Sequence, residues 1–176
     1  MSTLVVHGPL PVELEEYLVK RARLGLDRFD EVWDGEYHMA PAPSRRHADL
    51  DAQLAVILEP YSQDVGLRGY GPVNIGEKES YRIPDRSFLD PSVEGDVYVP
   101  TATLVVEILS KDDDSYAKFP FYAPRGIVEI LVVDPMARTV QWFARDDAAK
   151  GGFGRVPASA VLKLSGDTLA AEIRWP

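Results

Sequence analysis

The hydrophobic and polar positions of the chain follow two different periods, and the changes of period mark its elements. A helix is predicted over residues 11–24, where acidic residues come first and basic residues last. A second helix is predicted over 45–63, with Ser44 as its N-cap and one apolar face at helical spacing. Between the two helices, residues 29–40 predict a β-hairpin that turns at Asp34-Gly35. The first third of the chain therefore predicts helix, hairpin and helix.

The rest of the chain is predicted to be rich in strands. Residues 64–76 and 81–89 predict two neighbouring strands, and Gly71-Pro72 indicates a bend in the first of them. A helix ending at Gly126 is predicted next, beginning in the acidic "KDDD" segment. It is followed by a strand over 127–135, a hairpin partner over 137–145, and a C-terminal loop with a short hairpin. This order indicates an α/β or α+β fold with a mixed central β-sheet flanked by helices.

A glutamate stands in the middle of the most apolar strand, which covers residues 104–110. Apolar residues occupy both faces of this strand, which predicts a central, buried position, with Glu107 on the same face as Val105 and Leu109. A carboxylate is costly to bury unless something pairs with it. Asp85 is the other acid in a strand context, and Pro84 before it predicts a bend or a sheet edge.

Asp85 and Glu107 are expected to project toward one point if their strands are neighbours. Two carboxylates about 4 Å apart repel by roughly 4 kcal/mol at an effective dielectric near 20. Such a pair needs a shared proton or a cation, and Mg²⁺ suits oxygen ligands. The alternative is that each acid forms a salt bridge with an arginine or faces solvent at a sheet edge.

The composition narrows the possible functions. The chain has 176 residues, a net charge of −9, no cysteine and three histidines, which excludes disulfides and thiolate metal sites and disfavours a His-rich zinc centre. The negative charge argues against a surface that binds nucleic acid all over. A basic cluster, Lys20, Arg21, Arg23 and Arg28, is typical of a solvated helix end. No apolar run is long enough to span a bilayer, and a cytoplasmic location is expected.

Several short blocks, in this order, resemble one known family. They are "FDEVWDGEYHMAPAPS", "IPD", "TLVVEILS", "AKFPFYAPRGIVEILVVDP" and "RTVQWF", and they extend from about Leu14 to Phe143. Together they are similar to the Uma-type putative restriction endonucleases of the PD-(D/E)XK nuclease superfamily. The resemblance implies a single nuclease-like domain with a restriction-endonuclease-like core at 29–143. An N-terminal helical extension (1–28) and a C-terminal loop and hairpin (144–176) would flank this core.

The resemblance also implies which residues form the site. The aspartate of the motif falls on Asp85 and its glutamate on Glu107, while the usual lysine position holds Leu109. In Uma-type proteins the lysine is relocated to the following helix, which here implies Lys118, with Lys111 as a nearer competitor. Pro120 departs from the family pattern. If a helix is already established before it, the proline is expected to remove a hydrogen bond and kink the helix, which costs about 3 kcal/mol of stability.

Two more residues match the family, Glu36 in "DGE" and His47 on the second helix, either as ligands or as outer contacts. An ordinary pair between His47 and Asp51 on the helix surface is the alternative.

The resemblance thus implies hydrolysis of DNA with one Mg²⁺ or Mn²⁺ ion. Asp85, Glu107 and the backbone carbonyl of Ile108 would hold the ion, which would lower the pKa of a bound water. Lys118 would orient that water or stabilise charge developing on phosphorus. Two alternatives are a catalytically degenerate protein that binds nucleic acid or a protein partner, and a metal-dependent hydrolase of a small phosphodiester. A homodimer is compatible with cutting two strands.

Overall fold

A computed structural model describes residues 3–6, 11–110 and 115–176, and within these ranges it contains four α-helices and fourteen strands. The helices are α1 (Val12–Arg23), α2 (Arg45–Asp64), α3 (Phe119–Tyr122) and α4 (Gly166–Glu172). The strands are β1 (Leu4–Val6), β2 (Glu31–Trp33), β3 (Glu36–Met39), β4 (Arg68–Tyr70), β5 (Asn74–Glu77), β6 (Ser80–Arg82), β7 (Arg86–Leu89), β8 (Tyr98–Val99), β9 (Leu104–Ile108), β10 (Glu129–Asp134), β11 (Thr139–Arg145), β12 (Phe153–Val156), β13 (Ala158–Ser159) and β14 (Leu164–Ser165). No helix in the described ranges is long and apolar enough to cross a membrane.

Twelve of the described strands form two six-stranded mixed sheets, and β13 and β14 form a separate two-stranded sheet. Sheet A has the order β1-β3-β2-β6-β5-β8, and sheet B has the order β12-β11-β10-β9-β7-β4. Each sheet contains one parallel pair, β5 with β8 in sheet A and β9 with β10 in sheet B. The predicted mixed α/β fold is confirmed, but these twelve strands divide between two sheets instead of forming one.

The two strands predicted over 64–76 and 81–89 are each split between the sheets. The chain leaves sheet B after β4, bends at Gly71-Pro72 and enters sheet A as β5, which pairs with β6. It returns through residues 83–85 and re-enters sheet B as β7, which pairs with β4. The predicted pairing and both predicted bends are therefore present. Asp85, however, lies in the second bend, immediately before β7, and is not part of a strand.

The first hairpin and the second helix follow the predictions. Asp34 and Gly35 both have positive φ angles, 50° and 91°, as a tight hairpin turn of this kind requires. The hydroxyl oxygen of Ser44 accepts a hydrogen bond from the backbone N–H of His47 at 3.2 Å, which caps α2. Leu50, Leu54 and Leu58 are fully buried on one face of α2 and pack against sheet B.

Strand β9 is the centre of sheet B, with β10 parallel on one side and β7 antiparallel on the other. All five of its residues are buried. Leu104, Val106 and Ile108 pack into a cluster with α2 and α4, whereas Val105 packs on the opposite face with α3, β5 and β8. The alternation predicted from sequence is therefore observed, and Glu107 belongs to the second face.

The segment before β10 differs from the predicted continuous helix. Residues 115–118 form a 3₁₀ turn, α3 follows for one turn, and a second 3₁₀ turn ends at Gly126 with a φ angle of 79°. Pro120 stands in the first turn of α3, where a proline costs no helical hydrogen bond. The kink is expected only for a helix already established before Pro120, and α3 begins at Phe119, so this condition is not met. Lys111 and the predicted helix start in "KDDD" lie outside the described residues.

The C-terminal segment contains more structure than a loop and a hairpin. The predicted hairpin is present as β13 and β14, but β12 also extends sheet B, and α4 follows β14 directly. Ser165 caps α4 by accepting from the N–H of Thr168 at 3.0 Å, and Leu169 is fully buried in the core. This helix is absent from the sequence-based prediction.

Candidate active site

Asp85 is held where the chain crosses from sheet A to sheet B. Strand β7 begins one residue later, with Arg86 opposite Val106 of β9. Beyond that point none of the described strands pairs with β9 on this side. The Asp85 side chain occupies the position instead, and its Oδ2 accepts from the N–H of Ile108 at 2.6 Å. The other oxygen, Oδ1, lies 3.0 Å from His47 Nε2 on α2. Asp85 thus connects α2, the crossing segment and β9.

Glu107 is buried, with only 2% of its surface exposed, and three side chains from the described part of the chain form hydrogen bonds with its carboxylate. Tyr122 donates its hydroxyl proton to Oε1 at 2.6 Å. Oε2 accepts from Lys118 Nζ at 3.2 Å and from Ser115 Oγ at 3.4 Å. All three partners come from the segment 115–122, so α3 and the turn before it form the wall against which Glu107 is placed. A buried carboxylate needs such partners.

Lys118 lies between two carboxylates. Its Nζ is 2.9 Å from Glu31 Oε1 and 3.2 Å from Glu107 Oε2, and it donates to the backbone carbonyl of Ile83 at 3.3 Å. An ammonium group has three donors, and these three acceptors match that number. These contacts hold the Lys118 ammonium beside the Glu107 carboxylate. Leu109 itself packs partly buried on the same face of sheet B.

Glu31 is the member of this cluster that the sequence analysis missed. It stands on β2, only 7% exposed, and accepts from the N–H of Ile83 at 2.6 Å and from Trp33 Nε1 at 2.6 Å. Its contacts fix both Lys118 and the segment that carries Asp85. The strand pattern could have indicated it, because Glu31 and Trp33 are two residues apart on β2 and therefore lie on the same face as a large aromatic side chain.

Burial and the neighbouring charges shift the pKa values of the groups in this cluster. Desolvation raises the pKa of Glu107 to about 8; the charge of Lys118 opposes this shift and that of Asp85 adds to it. Burial alone would lower the pKa of Lys118, but Glu107 and Glu31 raise it above its usual value. Burial and Glu107 likewise raise the pKa of Tyr122, so its hydroxyl stays protonated and donates. The lysine is charged, and the carboxylates around it exceed it in number.

These groups open onto a cavity of about 900 Å³. Asp85, Glu107, Lys118 and Glu31 line one end of it together with His47 of α2, and Asp51 of α2 also lines it. Much of the remaining wall is apolar and includes residues 40–43, Pro72 and Met136. A concave, mostly apolar pocket with convergent polar groups is the usual form of a binding or catalytic site.

The remaining predicted residues have different positions. His47 Nε2 lies 3.0 Å from Asp85 Oδ1, and Asp51 pairs with Arg86 at 2.9 Å. The alternative of an ordinary His47–Asp51 pair stays a prediction. Glu36 lies opposite Trp33 at the end of the β2–β3 hairpin, away from the described residues that line the cavity.

The donor atoms at this end of the cavity have the chemistry that a hard divalent cation requires. Asp85 and Glu107 offer carboxylate oxygens, and the Ile108 carbonyl points to the same side as its N–H, which is the side of Asp85. In the described ranges no three His, Cys, Asp or Glu side chains are spaced to hold a metal. An ion here would therefore take two carboxylates, a carbonyl and waters, as Mg²⁺ commonly does.

Comparison with known proteins gives one family and one fold. Residues 14–168 match the family model described as "Uma2: Putative restriction endonuclease". Among solved structures, the chain is similar to the crystal structure of a putative nuclease belonging to DUF820 from Anabaena variabilis ATCC 29413. The TM-score is 0.65 at 16% sequence identity, over 81% of this chain and 90% of that chain, which shows a shared fold. No curated protein matches.

Proposed function

Because the chain belongs to the Uma2 putative restriction endonuclease family, we propose that it is a metal-dependent endonuclease that hydrolyses DNA phosphodiester bonds. The observation that carries this proposal is the contact of Lys118 Nζ with Glu107 at 3.2 Å, in the cavity that Asp85 also lines. It supports the view that a lysine from the segment after β9 joins the two acids, although Leu109 occupies the usual lysine position.

Asp85, Glu107 and the Ile108 carbonyl are the groups that would hold one Mg²⁺ or Mn²⁺. When bound, such an ion supplies charge for a phosphodiester oxygen and lowers the pKa of a coordinated water. His47 orients Asp85 through the contact at 3.0 Å, as outer contacts of metal ligands commonly do. Ile108 N–H fixes the second oxygen of Asp85 at 2.6 Å.

Lys118 is the cationic group of the proposed mechanism. Its raised pKa keeps it protonated at neutral pH, so it acts as a positive charge, not as a base. Positioned on the Glu107 side of the cavity, it stabilises negative charge that develops on a phosphoryl group bound beside the carboxylates. Glu31 and the Ile83 carbonyl keep the ammonium in place.

A plasmid-nicking assay in Mn²⁺ tests the proposal. The wild-type protein is expected to convert supercoiled DNA to open-circle and linear forms, and addition of EDTA is expected to stop the reaction. Asp85→Ala and Glu107→Ala should each abolish cleavage, whereas Glu79→Ala, at an exposed position in the β5–β6 turn, should cleave like wild type. Undiminished nicking by both acid variants would contradict the assignment.

A small phosphodiester is a second candidate substrate, and the cavity favours it. A volume of about 900 Å³ lies within the range of small-molecule pockets, and the net charge of −9 repels a long polyanion. The same two acids and Lys118 would act. Turnover of bis(p-nitrophenyl) phosphate with no cleavage of plasmid or oligonucleotide would favour this second substrate class.

A further inference from the structure

One wall of the cavity has an aromatic surface that the proposed chemistry does not use. Phe29 immediately precedes the buried Asp30 and lines the cavity with its half-buried ring. The guanidinium of Arg28 lies 5.9 Å from the centre of that ring. Apolar residues 40–43 continue the wall from Phe29 toward α2. A flat aromatic surface beside a cation and an apolar wall is suited to a nucleobase.

Phe29 and the wall next to it are held by a buried carboxylate. Asp30, only 1% exposed, accepts from Arg21 at 2.6 Å, from the Tyr37 hydroxyl at 2.9 Å and from the N–H of Ala40 at 3.1 Å. These bonds join the residue after Phe29 to the start of the 40–43 wall. The aromatic surface is thus attached to a rigid part of the fold, which favours a binding role because little ordering is needed.

The reacting groups lie inside the cavity and not on a convex surface. Glu107 is 2% exposed and Lys118 is 8% exposed, so a phosphodiester must enter the cavity to reach them. Bases in a duplex are stacked on one another and present only their edges in the grooves. Bases of a single strand can leave the stack and lie against an aromatic side chain. The apolar wall and Phe29 therefore offer contacts that only an unstacked base can use.

Two exposed arginines flank this surface. Arg28 lies beside Phe29. Arg46 on α2 contacts Sδ of Met136 at 3.5 Å, and Met136 is 73% exposed. Arg28, Arg46 and Met136 all line the cavity. Their charges favour the phosphates on either side of a bound nucleotide, in a protein whose overall charge repels nucleic acid.

From these observations we infer that Phe29 is a stacking platform for one unstacked nucleobase, and that the site prefers single-stranded nucleic acid to a duplex. This inference rests on the proposed function, because it places the base beside the phosphodiester that Asp85, Glu107 and Lys118 would engage. Beyond the proposed function, it specifies that the substrate is single-stranded and that Phe29 is the residue that selects it.

Fluorescence anisotropy with a labelled single-stranded DNA oligonucleotide, and with the duplex of the same sequence, tests the inference. Binding is measured in Ca²⁺, a cation that takes oxygen ligands. The single strand is expected to bind more tightly. Phe29→Ala should weaken single-strand binding about 5- to 150-fold, because stacking on an aromatic side chain contributes about 1–3 kcal/mol per base. Duplex binding should change less than about twofold.

Matched variants separate stacking from folding. Phe29→Leu keeps an apolar side chain without a ring and should lose the single-strand preference, whereas Phe29→Tyr should keep it. Tyr70→Ala removes an aromatic residue that is 40% exposed on β4, away from the described cavity lining, and should bind like wild type. Wild-type binding by Phe29→Leu, or equal affinity of the wild-type protein for the two DNA forms, would overturn the inference.

Cleavage in Mn²⁺, measured in parallel, distinguishes this inference from the proposed function. Cleavage of the duplex at a rate equal to or above that of the single strand, unchanged in Phe29→Ala, would overturn the stacking role and leave the endonuclease assignment in place. Ring-dependent binding of the single strand without cleavage of either form would support the base subsite and count against the endonuclease.

Discussion

Lys118 lies closer to Glu31 than to Glu107, with Nζ–Oε distances of 2.9 and 3.2 Å. Glu31 belongs to sheet A and Glu107 to sheet B, so one ammonium group joins the two sheets at the cavity. Because Glu31 also accepts from Ile83 N–H, the same carboxylate fixes the crossing segment that leads to Asp85. The candidate site is therefore built across the boundary between the sheets.

Removal of Glu31 is predicted to destabilise the protein strongly. Glu31→Ala leaves Lys118 with one carboxylate and leaves Ile83 N–H without its acceptor, and breaking a buried ion pair typically costs about 3–5 kcal/mol. Urea unfolding measures this change. Glu79→Ala, at an exposed position, should stay within about 0.5 kcal/mol of wild type. A loss of similar size in both variants would contradict the role given to Glu31.

Substitution of Lys118 is predicted to separate it from Lys111 as the acting lysine. Lys118→Met keeps the length of the side chain without its charge and should lower the rate of nicking by at least about 100-fold, as loss of a preorganised charge in a site commonly does. Lys111→Ala should retain a rate within about twofold of wild type. The measurement is the initial nicking rate in Mn²⁺ for folded protein, verified by circular dichroism. A reversed order of the two variants would transfer the role to Lys111.

Stability without metal is predicted to fall as the pH rises from 5 to 8.5. The pKa of Glu107 is raised from its ordinary 4.5 to about 8 in the folded protein, chiefly by desolvation, so between these values the folded state holds a proton that the unfolded chain releases. This contribution is complete below about pH 4.5 and is lost as the pH rises through about 8.

Thermal unfolding in EDTA, at a series of pH values, measures this effect. Glu107→Gln cannot titrate at this position, so its melting temperature should decline less than that of wild type over the same range. Lys118 does not contribute here, because its pKa is raised further above this range. Parallel curves for the two proteins would contradict a raised pKa of Glu107.

Loss of His47 is predicted to weaken metal binding without removing a ligand. His47 Nε2 lies 3.0 Å from Asp85 Oδ1, and outer contacts of this type commonly contribute about 10- to 100-fold to metal affinity. Isothermal titration of Mn²⁺ into His47→Ala should show such a weakening. Glu36→Gln changes a residue outside the described cavity lining and should bind Mn²⁺ like wild type. Equal affinities for wild type and His47→Ala would remove His47 from the site.

The alternation of side chains on β9 was sufficient to predict its central position and the face on which Glu107 lies, because period-2 burial is a local property. The bends at Gly71-Pro72 and Pro84 could also be predicted, since glycine and proline act through the local backbone. The division into two sheets could not, because it depends on which strands pair on each side of those bends. Helix α4 was missed because it is short, and its stability comes from the burial of Leu169.

The site residues likewise could be predicted from local sequence patterns only in part. Asp85 and Glu107 could be identified as unusual acids, but Lys118 followed only from the resemblance to a family, because no local pattern connects position 118 with position 107. Glu31 was missed and Glu36 preferred, although both acids lie on the same hairpin. Only the packing of the hairpin against residues 83 and 118 distinguishes them, and this packing is a tertiary property.

A crystal structure of the protein soaked in Mn²⁺, with anomalous scattering data, tests directly whether Asp85 and Glu107 hold a metal ion. One anomalous peak is expected in the cavity, within coordination distance of Asp85, Glu107 and the Ile108 carbonyl oxygen, and no such peak is expected in crystals of Glu107→Gln. A fully occupied peak bound elsewhere, or a cavity without a peak while Glu107 keeps its bonds to Lys118 and Tyr122, would contradict a metal-dependent site at these residues.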